Sequence, residues 1–215
     1  MEVNLVDGLL PRSDRSARLE RRKRLTKAER AELGRFGREY FDGPTGYGGY
    51  RYDGRYAPVV RAMIERYGLD GAARVLDVGC AKGFTLVEFV RQGITDVRGC
   101  DVSEYAVACG HPDVRDRLSV MSADRLDYAD ASFDLVYSID VIHNLPPPRC
   151  DAAVVEMMRV SRGAVFLQVA SYETPEEERR LREWGVTVRT FRSKTQWREA
   201  FERLGFAGDY YCKTF

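Results

Sequence analysis

The sequence predicts an α/β fold built on a mostly parallel sheet, and two observations carry that prediction. From residue 58 onward, apolar β-branched runs alternate with amphipathic segments. One run, Arg74-Val-Leu-Asp-Val-Gly-Cys-Ala-Lys-Gly83, passes from a strand through a glycine-punctuated turn to a helix start.

Taken in order, residues 12–40 read as helical. Ala, Leu, Arg and Glu dominate, no proline follows Pro11, and Thr26-Lys-Ala-Glu29 has capping-box spacing. Residues 41–56 are rich in glycine and tyrosine and read as a loop with a short turn. Pro58 to Tyr67 is a helix with Val59, Val60, Met63 and Ile64 on one face and Gly68 as its stop. Then come a strand at 74–78, a helix at 83–92, a strand at 96–101 and a helix at 103–109. A short strand near 117–121, a strand at 133–139, a helix at 147–160 and a strand at 164–169 follow. Such alternation implies parallel strands with right-handed crossovers. A charged helix (175–184), a strand (186–191), a helix (194–204) and a last strand (206–214) complete the chain. Gly205-Phe206 and Tyr210-Tyr211 suit a hairpin-like return at a sheet edge. The organisation is a helical or lid-like extension over 1–57 and one domain over 58–215.

Bulk properties narrow the function classes. At 215 residues the chain can bury a sizeable core, and a net charge of +1 gives no global bias toward nucleic acid. The charge asymmetry is local: residues 12–38 carry eleven lysines and arginines, well in excess of their acids. The bland reading of that run is a solvated helical face; a lid, a homodimer contact and an RNA contact are the alternatives. No apolar stretch is long enough to span a membrane, and Met1-Glu-Val-Asn-Leu-Val-Asp7 lacks signal-peptide order. Five scattered cysteines without C-x-x-C spacing suit reduced thiols, hence a cytoplasmic location. Two histidines exclude a histidine-rich metal site.

The glycine turn carries the chemistry. Gly79 and Gly83 let a ligand approach bare backbone, and Asp77 sets a carboxylate beside it. Asp101 ends the next strand, 24 residues later, where an acid can take the two hydroxyls of a ribose. An acid leading the turn would repel a pyrophosphate. It suits a ligand carrying a cationic amino-acid group.

These residues resemble motif I and the acidic post-I position of class I S-adenosylmethionine-dependent methyltransferases. Ala81 stands at that family's middle glycine, which requires a backbone conformation alanine can adopt. Ser122-Ala-Asp124-Arg-Leu and Asp130 through Ile139 look like the third acidic loop and fourth strand. Val141-Ile-His143-Asn144-Leu is similar to the LHHL/LHNL segment of small-molecule members. Tyr47-Gly-Gly-Tyr50-Arg-Tyr52-Asp-Gly-Arg-Tyr56 resembles a YGGYxYDGRW segment of a bacterial, methyltransferase type 11-like subgroup. The resemblance covers about residues 36–215.

It implies a Rossmann-like, seven-stranded, mostly parallel sheet with helices on both faces, an antiparallel last strand and the N-terminal helical extension. It also implies S-adenosyl-L-methionine as cofactor, contacted by Asp77, Gly79, Cys80, Ala81, Gly83, Asp101, Val102 and Ile139. Asp124 would take the adenine amino group, and Tyr52 would add a contact from the tyrosine-rich loop.

Methyl transfer needs alignment, and a base where the acceptor must lose a proton. The catalytic candidates after the fourth and fifth strands are His143 as general base, Asp140 paired with a cationic acceptor, and Glu173. Each has a structural alternative: a core histidine bonded to backbone, a helix cap, and an acid of a helix start. Tyr47, Tyr50, Tyr56, Asn144 and Tyr172 are the substrate-binding candidates. Tyrosines with nearby carboxylates suit an amine, guanidine or amino sugar through cation–π contact. The acceptor read this way is a small polar molecule of specialised, antibiotic or sugar metabolism, methylated on nitrogen or oxygen. One alternative is an RNA methyltransferase using the basic arm; another is a noncatalytic cofactor-binding partner subunit. Asn144-Leu-Pro-Pro-Pro148 comes late after the strand and lacks the aromatic of nucleic-acid amino-methyltransferases, making nucleic acid the weaker reading.

Overall fold

Alternating side chains along five central residues set the architecture. In β1 (Arg74–Val78), Val75 faces one side of the sheet while Leu76 and Val78 face the other, and all three are sealed from solvent. β1 pairs in parallel with β2 (Asp96–Asp101) and with β4 (Phe133–Ile139). β3 (Leu118–Val120) extends the sheet beyond β2, and β5 (Ser161–Ala170) and β6 (Asp209–Lys213) extend it beyond β4. The order is β3-β2-β1-β4-β5-β6. The computed structural model describes residues 1–10 and 16–214. The first residues of the helix expected from residue 12, and Phe215, lie outside the described residues.

Helices cover both faces. Val59, Val60 and Met63 of α4 (Ala57–Tyr67) pack with Leu86, Val87 and Phe89 of α5 (Phe84–Arg91) against Val75, Leu135 and Tyr137. On the other face, Ala153, Val154 and Met157 of α7 (Pro147–Val160) join Trp197 and Phe201 of α9 (Lys194–Arg203) over Leu76, Val136 and Leu167. α4 stops where expected, at Gly68 in the left-handed conformation (φ 60°). Ahead of the sheet lie α1 (Ser16–Lys23), α2 (Lys27–Leu33) and α3 (Arg38–Phe41). Thr26 and Glu29 form the expected capping box on α2. α6 (Glu104–Ala108) and α8 (Pro175–Trp184) lie between strands, and α8 carries a second capping box from Thr174 to Glu177.

The sheet departs from expectation at one edge. Six strands are described, not seven, and β6 runs parallel to β5, from Phe166↔Asp209 to Ala170↔Lys213, rather than returning antiparallel. α9 packs on the sheet between β5 and β6, so the chain re-enters in the direction in which it left. Val186 to Phe191 form no strand, despite their β-branched residues. The backbone N–H groups of Arg189 and Thr190 donate instead to the carbonyl of His143, at 3.0 and 2.9 Å. Tertiary hydrogen bonds thus override local propensity. Beside β6 runs the chain start: Val3 N donates to Tyr210 O (2.8 Å) and Tyr210 N to Met1 O (3.0 Å). Leu5 and Val6 are buried in the same cluster as Val59 and Val75.

Candidate active site

Strand order reverses between β1 and β4, so the loops after them diverge and open a crevice at the carboxyl ends of the strands. The two loops touch. Gly79 sits at φ 89°, and a Cβ there would come within 2.2 Å of the Val141 side chain. No side chain fits. Ala81, at the third position of the turn, holds a left-handed φ of 49°, a strained conformation for alanine. Its N–H donates to Asp101 Oδ2 at 2.8 Å, which offsets part of that strain.

Two neighbouring cavities occupy the crevice. The first, about 370 Å³, is lined by Gly79, Ala81, Asp101, Val102 and Ile139, among others. The second, about 380 Å³, lies toward α1, α8 and the end of β6, with His143, Arg22 and Lys213 in its wall. Tyr40, Tyr47, Tyr50, Tyr56, Asp140 and Asn144 line both.

The acids differ in state. Asp77 is 5% exposed, and burial pushes its pKa up to about 7 while the hydroxyl of Tyr137 pulls it down. Asp101 is also raised by burial, against the pull of the Ser103 and Ala81 N–H groups. Asp124 goes the other way, held down to about 2 by Arg149, whose Nε lies 2.5 Å from its Oδ2. Asp140 takes a left-handed φ of 60° as β4 ends. Burial is the strongest influence and opposes its ionisation, but Lys213, His143 and Gln168 together outweigh it, and its pKa lies below the ordinary value. Lys213 Nζ is 3.3 Å from Asp140 Oδ2 and 2.8 Å from Asp7 Oδ1. Asp140 Oδ1 is buried with no hydrogen-bond partner.

His143 is a core histidine bonded to backbone. Its Nδ1 accepts from Ala170 N at 3.1 Å, so the neutral ring carries its proton on Nε2. Burial lowers its pKa to about 4. No nitrogen is left to take a proton, and the general-base expectation gives way to a hydrogen-bond donor.

The tyrosine-rich segment folds over the crevice. Tyr50 stacks on Phe84 (4.9 Å between centroids, 11° between planes), and Tyr47 meets Tyr50 edge-on at 5.5 Å. Lys82, from the glycine turn, holds this segment through Asp42 (2.7 Å) and the Tyr50 carbonyl (3.2 Å); Tyr105 also donates to Asp42.

Several expected site residues lie elsewhere. Glu173 pairs with Lys194 at 2.9 Å, its side chain 56% exposed and outside both cavities. Tyr172 is likewise outside them, its hydroxyl 3.5 Å from Gln196. Tyr52 also turns away: its hydroxyl donates to Glu88 and accepts from Arg91, and its ring meets Phe84 and His111. Asp77, Cys80 and Gly83 shape the turn without lining a cavity, and Asp124 is spent on Arg149 and Ser122. The basic arm is not simply solvated. Arg22 packs on Trp184, Arg18 lies 4.9 Å from the Tyr47 ring centroid, and Arg21 donates to the Pro44 carbonyl. Lys213, Tyr40 and Arg22 were missed from sequence. Only Lys213 left a signal, a cation directly after the Tyr210-Tyr-Cys212 run of the terminal strand.

A family model described as a methyltransferase domain matches residues 76–167, from β1 into β5. A demethylmenaquinone methyltransferase of Beutenbergia cavernae is 35% identical over 116 residues, covering 54% of this chain and 47% of that protein. The methyltransferase GfsG of Streptomyces halstedii is 33% identical over 115 residues, covering 50% and 41%. The chain therefore spans less than half the length of these relatives. Among solved structures, the YcgJ protein of Bacillus subtilis superposes with a TM-score of 0.56 at 22% identity, over 67% of this chain and 66% of that one. That likeness shows the fold. No helix among the described residues is long and apolar enough to cross a membrane.

Proposed function

We propose, from the premise that this chain belongs to the class I S-adenosylmethionine-dependent methyltransferases, that it methylates a nitrogen or oxygen of a small polar metabolite. The observation that carries this is the pair of cavities meeting at Asp140, Asn144 and three tyrosines of the 47–56 segment. Two adjoining compartments suit a transfer that needs donor and acceptor aligned across a short gap.

The first cavity fits the cofactor. Asp101 offers carboxylate oxygens for ribose hydroxyls, and Val102, Met121, Ala123 and Ile139 give an apolar surround for a base. Asp77, behind the glycine turn and outside the cavity lining, has no cation within ion-pair distance among the described residues, and an ammonium bound at the turn would favour its charged form. When bound, the cofactor supplies a methyl carbon on a positively charged sulfur. This chain's residues then orient the acceptor. Asp140 Oδ1 accepts from the acceptor's N–H or O–H, and the neutral His143 ring donates from Nε2. Tyr47, Tyr50 and Tyr56 wall the junction. The ion pair with Lys213 removes the reason for expecting a cationic acceptor at Asp140.

Incubation with methyl-labelled cofactor and a metabolite extract, read by mass, tests the proposal. Labelled product in wild type, absent when Asp101 is replaced by Ala, is the expected result. Tight S-adenosylhomocysteine binding with no product from any extract would favour a binding-only protein of this fold.

A further inference from the structure

The second cavity carries more positive charge than its own carboxylates neutralise. Two of its cations are paired, Arg55 with Asp53 and Lys213 with Asp140 and Asp7. Arg18, Arg22 and Arg51 line the same cavity. Among the described residues, no carboxylate lies within ion-pair distance of these three; the ion pairs of the basic arm involve Lys23 and Arg35 instead.

Arg22 is the informative one. It is 7% exposed, and burial lowers its pKa. Its Nη1 donates to the carbonyl of Trp184 at 2.6 Å, and its guanidinium carbon lies 4.4 Å from the Trp184 ring centroid. Nε is buried with no hydrogen-bond partner. Fixing α1 to the end of α8 needs only the first of these bonds. It does not explain a buried, uncompensated cation with a donor to spare, which is an unfavourable arrangement unless an anion completes it. The planar fork, held by the indole, is pre-organised for two-point recognition of an oxyacid.

We propose that the methyl acceptor carries an anionic oxyacid group, carboxylate or phosphate, seated on Arg22 with Arg18 and Arg51 adding charge. This rests on the reading of the second cavity as the acceptor site. The acid end is held at the arginines, and the methylated nitrogen or oxygen lies at the Asp140 junction between the cavities. Arginine at the acid end and a carboxylate at the reacting end together orient an acceptor that carries both groups.

The test uses the whole chain saturated with S-adenosylhomocysteine, whose binding is measured by calorimetry in the same samples. Inorganic phosphate, acetate and chloride are then titrated at matched ionic strength while the melting temperature is followed. Phosphate or acetate should give a saturable rise that chloride does not, and the stronger of the two identifies the acid. Arg22→Gln should weaken that anion at least tenfold with S-adenosylhomocysteine affinity unchanged, while the surface variant Arg203→Gln keeps the response. Should Arg22→Gln fail to fold, the double variant Arg18→Gln/Arg51→Gln carries the test, with a several-fold loss expected. A response equal to that of chloride, or one that survives these variants, overturns the proposal. Loss of S-adenosylhomocysteine binding in wild type would instead sink the two-cavity reading beneath it.

Discussion

The Tyr137 hydroxyl donates to Asp77 Oδ2 at 2.9 Å across directly paired positions of β4 and β1, with both residues sealed in the core. An acid in that setting prefers to be neutral, and its pKa of about 7 puts the preference inside the working range. The folded value lies above the unfolded one. Asp77's contribution to stability is therefore complete below about pH 4 and is lost as pH rises through about 7. Denaturant titrations of the cofactor-free protein should show this loss, up to about 4 kcal/mol for a three-unit shift. Asp77→Asn should remove it. Excess S-adenosylhomocysteine should also reduce it, because its ammonium favours the charged carboxylate. A wild-type minus Asp77→Asn difference that does not change with pH would end this account.

Asp101 holds two backbone N–H groups, those of Ala81 and Ser103, while lining the first cavity. Asp101→Ala should weaken S-adenosylhomocysteine about 10–150-fold, the equivalent of about 1.5–3 kcal/mol for a charge-assisted bond. It should also lower stability by about 1–3 kcal/mol, since it orphans donors that fix the turn. Calorimetry at unchanged affinity would remove Asp101 from the cofactor site.

His143 should leave no imprint on the pH–rate profile above about pH 5. Its folded pKa of about 4 lies below the unfolded value, so its stability contribution is present above about pH 6.5 and is lost as pH falls toward 4. His143→Gln, which keeps an N–H donor, should retain more turnover than His143→Ala. An inflection near pH 6.5 that His143→Gln abolishes would restore the general base.

Lys82 joins the glycine turn to the tyrosine-rich segment through Asp42. Lys82→Met should raise hydrogen exchange over residues 42–50 and cost about 1–3 kcal/mol in stability, because Asp42 loses its ion-pair partner. Exchange there identical to wild type would mean that the Tyr50–Phe84 stack and the Tyr105–Asp42 bond hold the segment closed without Lys82.

What the sequence determined by itself is local and periodic. The strands at 74–78, 96–101 and 133–139 and the helices at 147–160 and 175–184 end where the structure ends them, because burial period, glycines and capping residues mark those limits within a few positions. The same locality made the glycine turn from Asp77 to Gly83, with Asp101 at the end of the next strand, legible in the sequence. Tertiary structure alone decided the rest. Whether Val186–Phe191 became a strand depended on the His143 carbonyl, more than forty residues away in sequence. The state of His143 depended on Ala170 N, and that of Asp140 on Lys213 from the far edge of the sheet. Whether Arg22 became a surface charge or a cavity wall depended on Trp184 of α8. A charge, tautomer or partner set by groups brought together only by folding leaves no periodic trace along the chain, whereas burial on one face of a strand or helix does.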